Sequence, residues 1–188
     1  QSHVQGESIS SLRYVGCGGA SLPETVLKKF EQRFNLKVLE GYGLTEVACG
    51  VSCNPLMGER LSGSVGLRFP YHELVTAILT EKGSIERLCA SGEVGQILVK
   101  GPCVSPGYKY LSLNKDLFSL DGWLITGDLG FLDNKNYLWL TGRSKDLIIR
   151  GGHNIDPLLI EDALYKHPAV AEAAAIGKPD PIAGELPV

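Results

Sequence analysis

The sequence predicts an α/β segment, then a β-rich segment, then the opening of an α+β unit, and three observations carry that reading. Two apolar strand-like runs flank a helical pattern near the amino end, the signature of a βαβ unit. Between about Leu61 and Leu140, β-branched and aromatic runs alternate with Gly, Pro and Asp-Asn turn residues, which predicts antiparallel hairpins or a small barrel. Beyond Gly142, a short strand leads to Asp156-Pro157, an N-cap followed by proline at the first helical position.

Taken in order, Leu12–Val15 is the first expected strand, ending in the glycine-rich turn Gly16-Cys17-Gly18-Gly19. Ser21 with Glu24 forms a capping-box pattern, and Leu22, Val26, Leu27, Phe30 and Phe34 recur at helical spacing behind it. Leu36–Leu39 is the second strand, and the pair implies a parallel sheet. In the middle segment the expected strands are Leu74–Leu79, Gln96–Val99 and Tyr137–Leu140. After them come a strand at Leu147–Ile149, a turn at Arg150-Gly151-Gly152, and a helix with Leu159, Ile160, Ala163 and Leu164 as its apolar face. Val170–Ile176 reads as a last strand, and Gly177-Lys178-Pro179-Asp180 as a turn. The expected divisions are 1–60, 61–142 and 143–188.

Of 188 residues, 44% are hydrophobic and 21% charged, an ordinary globular balance. A net charge of -3 excludes a general binder of nucleic-acid backbones, which needs a basic face. No apolar run approaches the roughly 20 residues that span a bilayer. The five cysteines lack C-x-x-C spacing and read as reduced thiols of a cytoplasmic protein. His3, His72, His153 and His167 show no metal-ligand spacing. The first residue is Gln rather than Met, and both flanking units look incomplete, so the expectation is a piece of a larger protein. Its cut sheet edges would then favour homodimers.

Three glycine-containing turns concentrate the polar chemistry: Gly41–Glu46, Thr126-Gly127-Asp128, and Gly142–Asp146. Tyr42, Thr45 and Glu46 offer a flat aromatic, a hydroxyl and a carboxylate, which suit a base, a phosphate and Mg²⁺. Asp128 offers two acceptor oxygens for vicinal hydroxyls, and Arg143 a rigid cationic fork for sugar or phosphate oxygens. Taken singly, each reads equally as a packed aromatic, a turn former or a surface ion pair.

Their order is more specific. Gly18-Gly19-Ala20, Tyr42-Gly43-Leu44-Thr45-Glu46, Gly92–Ile97, Gly101-Pro102 with Gly107-Tyr108, Gly122–Leu129 and Gly142–Ile148 follow one another along nearly the whole chain. In this the sequence resembles the adenylate-forming superfamily of acyl-CoA synthetases, luciferases and nonribosomal adenylation domains. The resemblance implies the end of a large adenylate-forming domain, made of the βαβ piece and a small distorted antiparallel β-barrel, followed by the start of an α+β C-terminal domain. It implies ATP and AMP as nucleotides, Mg²⁺, a small-molecule carboxylate such as a fatty acid, and CoA as thiol substrate. By position, Gly18, Gly19 and Ala20 would line the adenine and acyl pocket. Tyr42 and Gly43 would lie at adenine, Thr45 at the α-phosphate, and Glu46 at Mg²⁺. Asp128 and Arg143 would hold the ribose. Lys145 would be the hinge about which the C-terminal domain turns, and Gly152, in the loop Arg150–Asn154, would approach the thioester step. Tyr71, His72, Leu67 and Arg68 stand near the implied acyl site, and Arg68 reads equally as a solvated charge.

Two departures matter. The family's phosphate-binding loop precedes these motifs, and its catalytic lysine follows them; Lys178 is not that lysine. The expectation is therefore an inactive portion of an acyl-CoA synthetase. The alternatives are an enzyme that loads a carrier protein, or a non-catalytic nucleotide-binding or interaction module.

Overall fold

The computed structural model describes residues 9–20, 22–167 and 169–188. Strand β1 (Tyr14–Cys17) and strand β2 (Lys37–Tyr42) pair in parallel, with Tyr14 opposite Lys37 and Cys17 opposite Glu40. Helix α1 (Glu24–Phe34) makes the crossover, so the βαβ unit forms, with its strands displaced toward the carboxyl side of the expected runs. α1 buries Leu27 and packs Phe30 on Phe34 at 4.8 Å between ring centroids. It ends at Asn35, whose left-handed conformation lets its N–H reach the Glu31 carbonyl. The expected capping box involves Ser21, which lies outside the described residues. The helix instead starts after Pro23, which has no side-chain cap bond, and Glu24 pairs with Lys28 at 2.6 Å on an exposed face.

The sheet does not continue in parallel. β3 (Ser52–Cys53) and β4 (Leu67–Arg68) add antiparallel strands in the order β1-β2-β3-β4. The reason is local: a tight 3₁₀ turn at Thr45–Val47 reverses the chain straight after β2.

The middle segment is a five-stranded antiparallel sheet of β5 (Glu73–Leu79), β6 (Ile85–Leu88), β7 (Gly95–Lys100), β8 (Leu124–Leu132) and β9 (Leu138–Arg143). The strand order is β6-β5-β7-β8-β9. Val65 donates to the Leu138 carbonyl at 3.0 Å, and Leu138 to that of Gly66 at 2.9 Å, joining the β9 edge to the segment before β4. The two sheets thereby enclose one core, in which Tyr42, Val47 and Val51 meet Ile97, Val99, Leu124 and Leu138.

In the last segment, β10 (Ile148–Arg150) and β11 (His153–Ile155) form a hairpin, with Arg150 opposite His153. The expected loop is thus a tight turn whose central glycines, Gly151 and Gly152, have φ +56° and +81°. Asp156 caps helix α2 (Pro157–Tyr165), its Oδ1 accepting from Leu158 N–H at 3.0 Å, as the sequence predicts. Such a cap is worth ~1 kcal/mol. The apolar face of α2 is only partly covered, with Ile160 half-buried but Leu159 70% and Leu164 44% exposed. Val170–Ile176 forms no strand. The expected turn at Gly177 is strand β12 (Gly177–Asp180), which pairs with β13 (Gly184–Pro187) in the order β11-β10-β13-β12. Pro179 is tolerated there because β12 is an edge strand. No helix among the described residues is long and apolar enough to cross a membrane.

One buried charge in this framework yields a pH prediction. Glu40 is 8% exposed and accepts from Gly63 N–H at 3.2 Å, beside a cavity of about 140 Å³ lined by Leu27, Glu31, Val38, Asn54 and Arg60. Burial raises its pKa, so the folded state holds this proton more tightly than the unfolded chain does. The native state is therefore favoured by this group at low pH, and that advantage is lost as pH rises through the folded pKa. Glu40→Gln is expected to raise the denaturation midpoint at pH 7 and to match the parent near pH 4. A variant equally destabilised at both values would contradict this.

Candidate functional site

The parallel pairing of β1 and β2 brings their carboxyl ends to the same edge, the place where open α/β sheets bind ligands. From β1 emerges Gly18-Gly19-Ala20, and a β-carbon at Gly18 would lie 2.9 Å from the Gly41 carbonyl oxygen of β2. From β2 emerges Gly43-Leu44-Thr45-Glu46. A β-carbon at Gly43 would overlap the Cys49 carbonyl oxygen, so only glycine permits the turn to close this tightly. Thr45 is exposed and Glu46 half-buried, while Val47 anchors the turn in the core at 1% exposure.

Tyr42, Asp128 and Arg143 meet, although they come from three separate strands. The Tyr42 hydroxyl donates to Asp128 Oδ2 at 2.5 Å, and Arg143 Nε donates to Asp128 Oδ1 at 2.8 Å. The sequence placed Asp128 on a turn at a strand end. It lies instead inside the nine-residue strand β8, at an irregularity. Leu98 of β7 faces Ile125 and Gln96 faces Leu129, so β8 carries extra residues around Gly127, whose φ is +80°. The irregularity is held by Thr126, whose Oγ1 donates to the Ile97 carbonyl and accepts from Asp128 N–H. Gln96 Nε2 donates to the Asp128 carbonyl at 3.1 Å. On β9 a second register shift brings Arg143 opposite Asp128. The expected strand at Tyr137–Leu140 forms as the start of β9, whereas glycines at 127 and 142 hide β8 and the far end of β9 from a periodicity reading.

Asp128 is 6% exposed, whereas the Arg143 side chain is 66% exposed, so the pair runs from the core to the surface. Burial first, and then the Asp128 carboxylate, push the Tyr42 phenol far above its ordinary pKa, keeping it a protonated donor. The Asp128 carboxylate likewise raises the Arg143 pKa. A buried carboxylate with donors on both oxygens, opening to solvent through a cation, suits a neutral polyhydroxyl ligand next to a phosphate.

Sequence reasoning missed Tyr108. Its hydroxyl donates to Glu46 Oε1, and the Glu46 carboxylate raises the Tyr108 pKa. The Gly107-Tyr108 pair among the ordered motifs carries the signal that could have found it. Lys145 is exposed on the turn after β9, which is tied to the β8 irregularity because Ser144 N–H and Oγ both donate to the Gly127 carbonyl. Gly152 sits at the β10–β11 hairpin tip. Among the described residues, no hydrogen bond or ion pair joins that tip to Tyr42, Asp128 or Arg143. Nor, among them, does any group of three or more His, Cys, Asp or Glu side chains make a metal cage.

Comparison with known proteins gives this geometry a context. Residues 1–109 match the AMP-binding enzyme family, and residues 159–188 match the AMP-binding enzyme C-terminal domain. The chain is 50% identical over 185 residues to a marinolic acid–CoA ligase of Pseudoalteromonas sp. (strain SANK 73390), covering 98% of this chain and 28% of the relative. It is 40% identical over 182 residues to a sulfoacetate–CoA ligase of Cupriavidus necator, covering 96% of this chain and 35% of the relative. Among solved structures it resembles ATP-bound MatB from Rhodopseudomonas palustris, with 34% identity and a TM-score of 0.88, over 97% of this chain and 36% of that one. The chain thus spans about a third of the length of such relatives. With its ordered motifs, its parallel-strand edge and matches at both ends of the sequence, the chain belongs to the AMP-binding enzyme family.

Proposed function

We propose that this chain carries the adenosine-binding part and the hinge of an ATP-dependent acid–thiol ligase that uses CoA. The single observation behind this reading is the Tyr42–Asp128–Arg143 network beside the glycine turns of β1 and β2. The named CoA ligases among its relatives, and ATP in a similar solved structure, support it. In this reading Asp128 binds the ribose hydroxyls and Arg143 flanks the same sugar, while Tyr42 holds Asp128 in place and offers its remaining ring edge to adenine. Gly18, Gly19, Ala20 and Gly43 let the nucleotide approach the backbone. Thr45 faces the α-phosphate.

Glu46, beside Thr45, would hold Mg²⁺. The donor set fits, because Mg²⁺ is commonly held by one or two carboxylates together with substrate phosphates rather than by an all-protein cage. When bound, the ion offsets charge that develops on the phosphate. The overall chemistry has two displacements. A carboxylate oxygen attacks the α-phosphorus of ATP, and pyrophosphate leaves. The CoA sulfur then attacks the acyl carbon, and AMP leaves. Lys145 is the pivot between the two steps, and Gly152 lies on the segment brought to the second. Pyrophosphate release by this chain alone is not expected.

Calorimetric titration with AMP tests the reading. One saturable site is expected, and heats that stay at the dilution baseline up to millimolar AMP would refute it.

A further inference from the structure

The segment after β7 turns back onto Glu46. Ser105 N–H donates to the Glu46 carbonyl at 2.7 Å, and the Tyr108 hydroxyl donates to the carboxylate Oε1. Tyr108 is itself clamped by one side chain. Its N–H donates to Asn114 Oδ1 at 2.6 Å, and its carbonyl accepts from Asn114 Nδ2 at 3.1 Å. Ser105 Oγ accepts from Gly107 N–H at 3.2 Å. Gly107 has φ +131°, and a β-carbon there would lie 2.9 Å from Asn114 Oδ1, so glycine is what lets the chain pass this clamp. Asn114 ends the 3₁₀ turn Leu111–Asn114, which leads through the β8 segment back to Asp128.

The loop therefore fixes a phenol by its backbone on one side and presents its hydroxyl to one oxygen of one carboxylate on the other. We propose that Tyr108 is a positioning residue that aims the Glu46 carboxylate, engaging Oε1 so that Oε2 is presented to a divalent cation. This rests on the reading of Glu46 as the Mg²⁺ holder. A phenol suits the task because it orients the carboxylate without cancelling its charge, as a lysine or arginine would. Hydrogen-bond partners of metal-ligating carboxylates are typically worth ~10–100-fold in metal affinity.

The test is ATP binding to this 188-residue chain, measured by calorimetry across a series of Mg²⁺ concentrations. For Tyr108→Phe, the Mg²⁺ concentration giving half of the gain in ATP affinity is expected to rise about tenfold. Affinity for ATP without Mg²⁺ should be unchanged, and affinity at saturating Mg²⁺ should recover. Asn114→Ala is expected to shift the profile in the same direction. In a Glu46→Gln background, Tyr108→Phe should add nothing. An unshifted profile overturns the positioning role and leaves the Glu46 assignment standing. A shift toward lower Mg²⁺ also overturns it, because Tyr108 would then be competing with the cation. If the parent chain itself binds ATP equally with and without Mg²⁺, the Glu46 assignment fails, and this inference with it.

Discussion

Gly43→Ala is expected to cost more than ~4 kcal/mol, beyond the range of ordinary single substitutions. The new β-carbon would overlap the carbonyl oxygen of Cys49, a backbone atom that cannot rotate aside. The turn has no slack to absorb it. Val51 N–H donates to the Tyr42 carbonyl at 2.9 Å, Cys49 N–H to that of Leu44 at 3.2 Å, and Val47 and Val51 are buried in the core. Ala48 and Cys49 already stand in the left-handed region, at φ +47° and +74°. Relief must come from breaking these bonds or withdrawing Val47, and either displaces Thr45 and Glu46. Gly50→Ala provides the comparison. Its β-carbon would meet Phe69 Cε2 at 2.6 Å, but Phe69 is a 39% exposed side chain that can swing into solvent. It should cost about 1 kcal/mol or less, in the range of mild overpacking or smaller. Denaturant unfolding of both variants measures the difference. Equal losses would mean that the turn is not locked at Gly43.

The contrast shows which parts of this chain a sequence discloses. The βαβ unit was legible because its strands and helix are continuous apolar patterns, and Asp156 was legible because capping is decided within a few residues. β8 was not legible. Its glycines at 127 and 130 resemble punctuation, yet Gly130 is there because a side chain would overlap the Trp139 carbonyl on the neighbouring strand. Gly177–Asp180 looked like a turn for a similar reason, since only pairing with β13 makes a proline-containing segment an edge strand. The site followed the same division. The turn residues Tyr42 to Glu46 were visible as a local cluster. What binds them together is set by register: an ion pair between β8 and β9, and a phenol from the far loop at Tyr108. Such partners, distant in sequence, have no local pattern.

Asp128→Ala is expected to weaken AMP binding about 100-fold, close to the ~2.7 kcal/mol that two decades of affinity represent. Hydrogen bonds to a charged group contribute ~1.5–3 kcal/mol each, and a carboxylate facing a ribose loses up to two of them. The same change strands the Tyr42 phenol in the core, at a stability cost of ~1–3 kcal/mol, and frees Arg143 from its 2.8 Å partner. Instability alone must therefore be separated from lost recognition. Asp128→Asn does so, because it keeps an acceptor for Tyr42 and the shape of the side chain while removing the charge. Its amide N–H₂ replaces the oxygen that accepts from Arg143 Nε, but that side chain can turn to solvent. Asp128→Asn should therefore lose less stability than Asp128→Ala and bind AMP roughly tenfold more weakly, a loss of about 1.4 kcal/mol. The ligand supplies the other half of the cycle. Removing the 2′-hydroxyl of AMP should weaken binding to the parent chain, and should have little further effect on Asp128→Ala. If instead the deoxy ligand loses the same factor against both proteins, Asp128 does not touch the sugar. Its place between Tyr42 and Arg143 would then serve only to hold β2, β8 and β9 together.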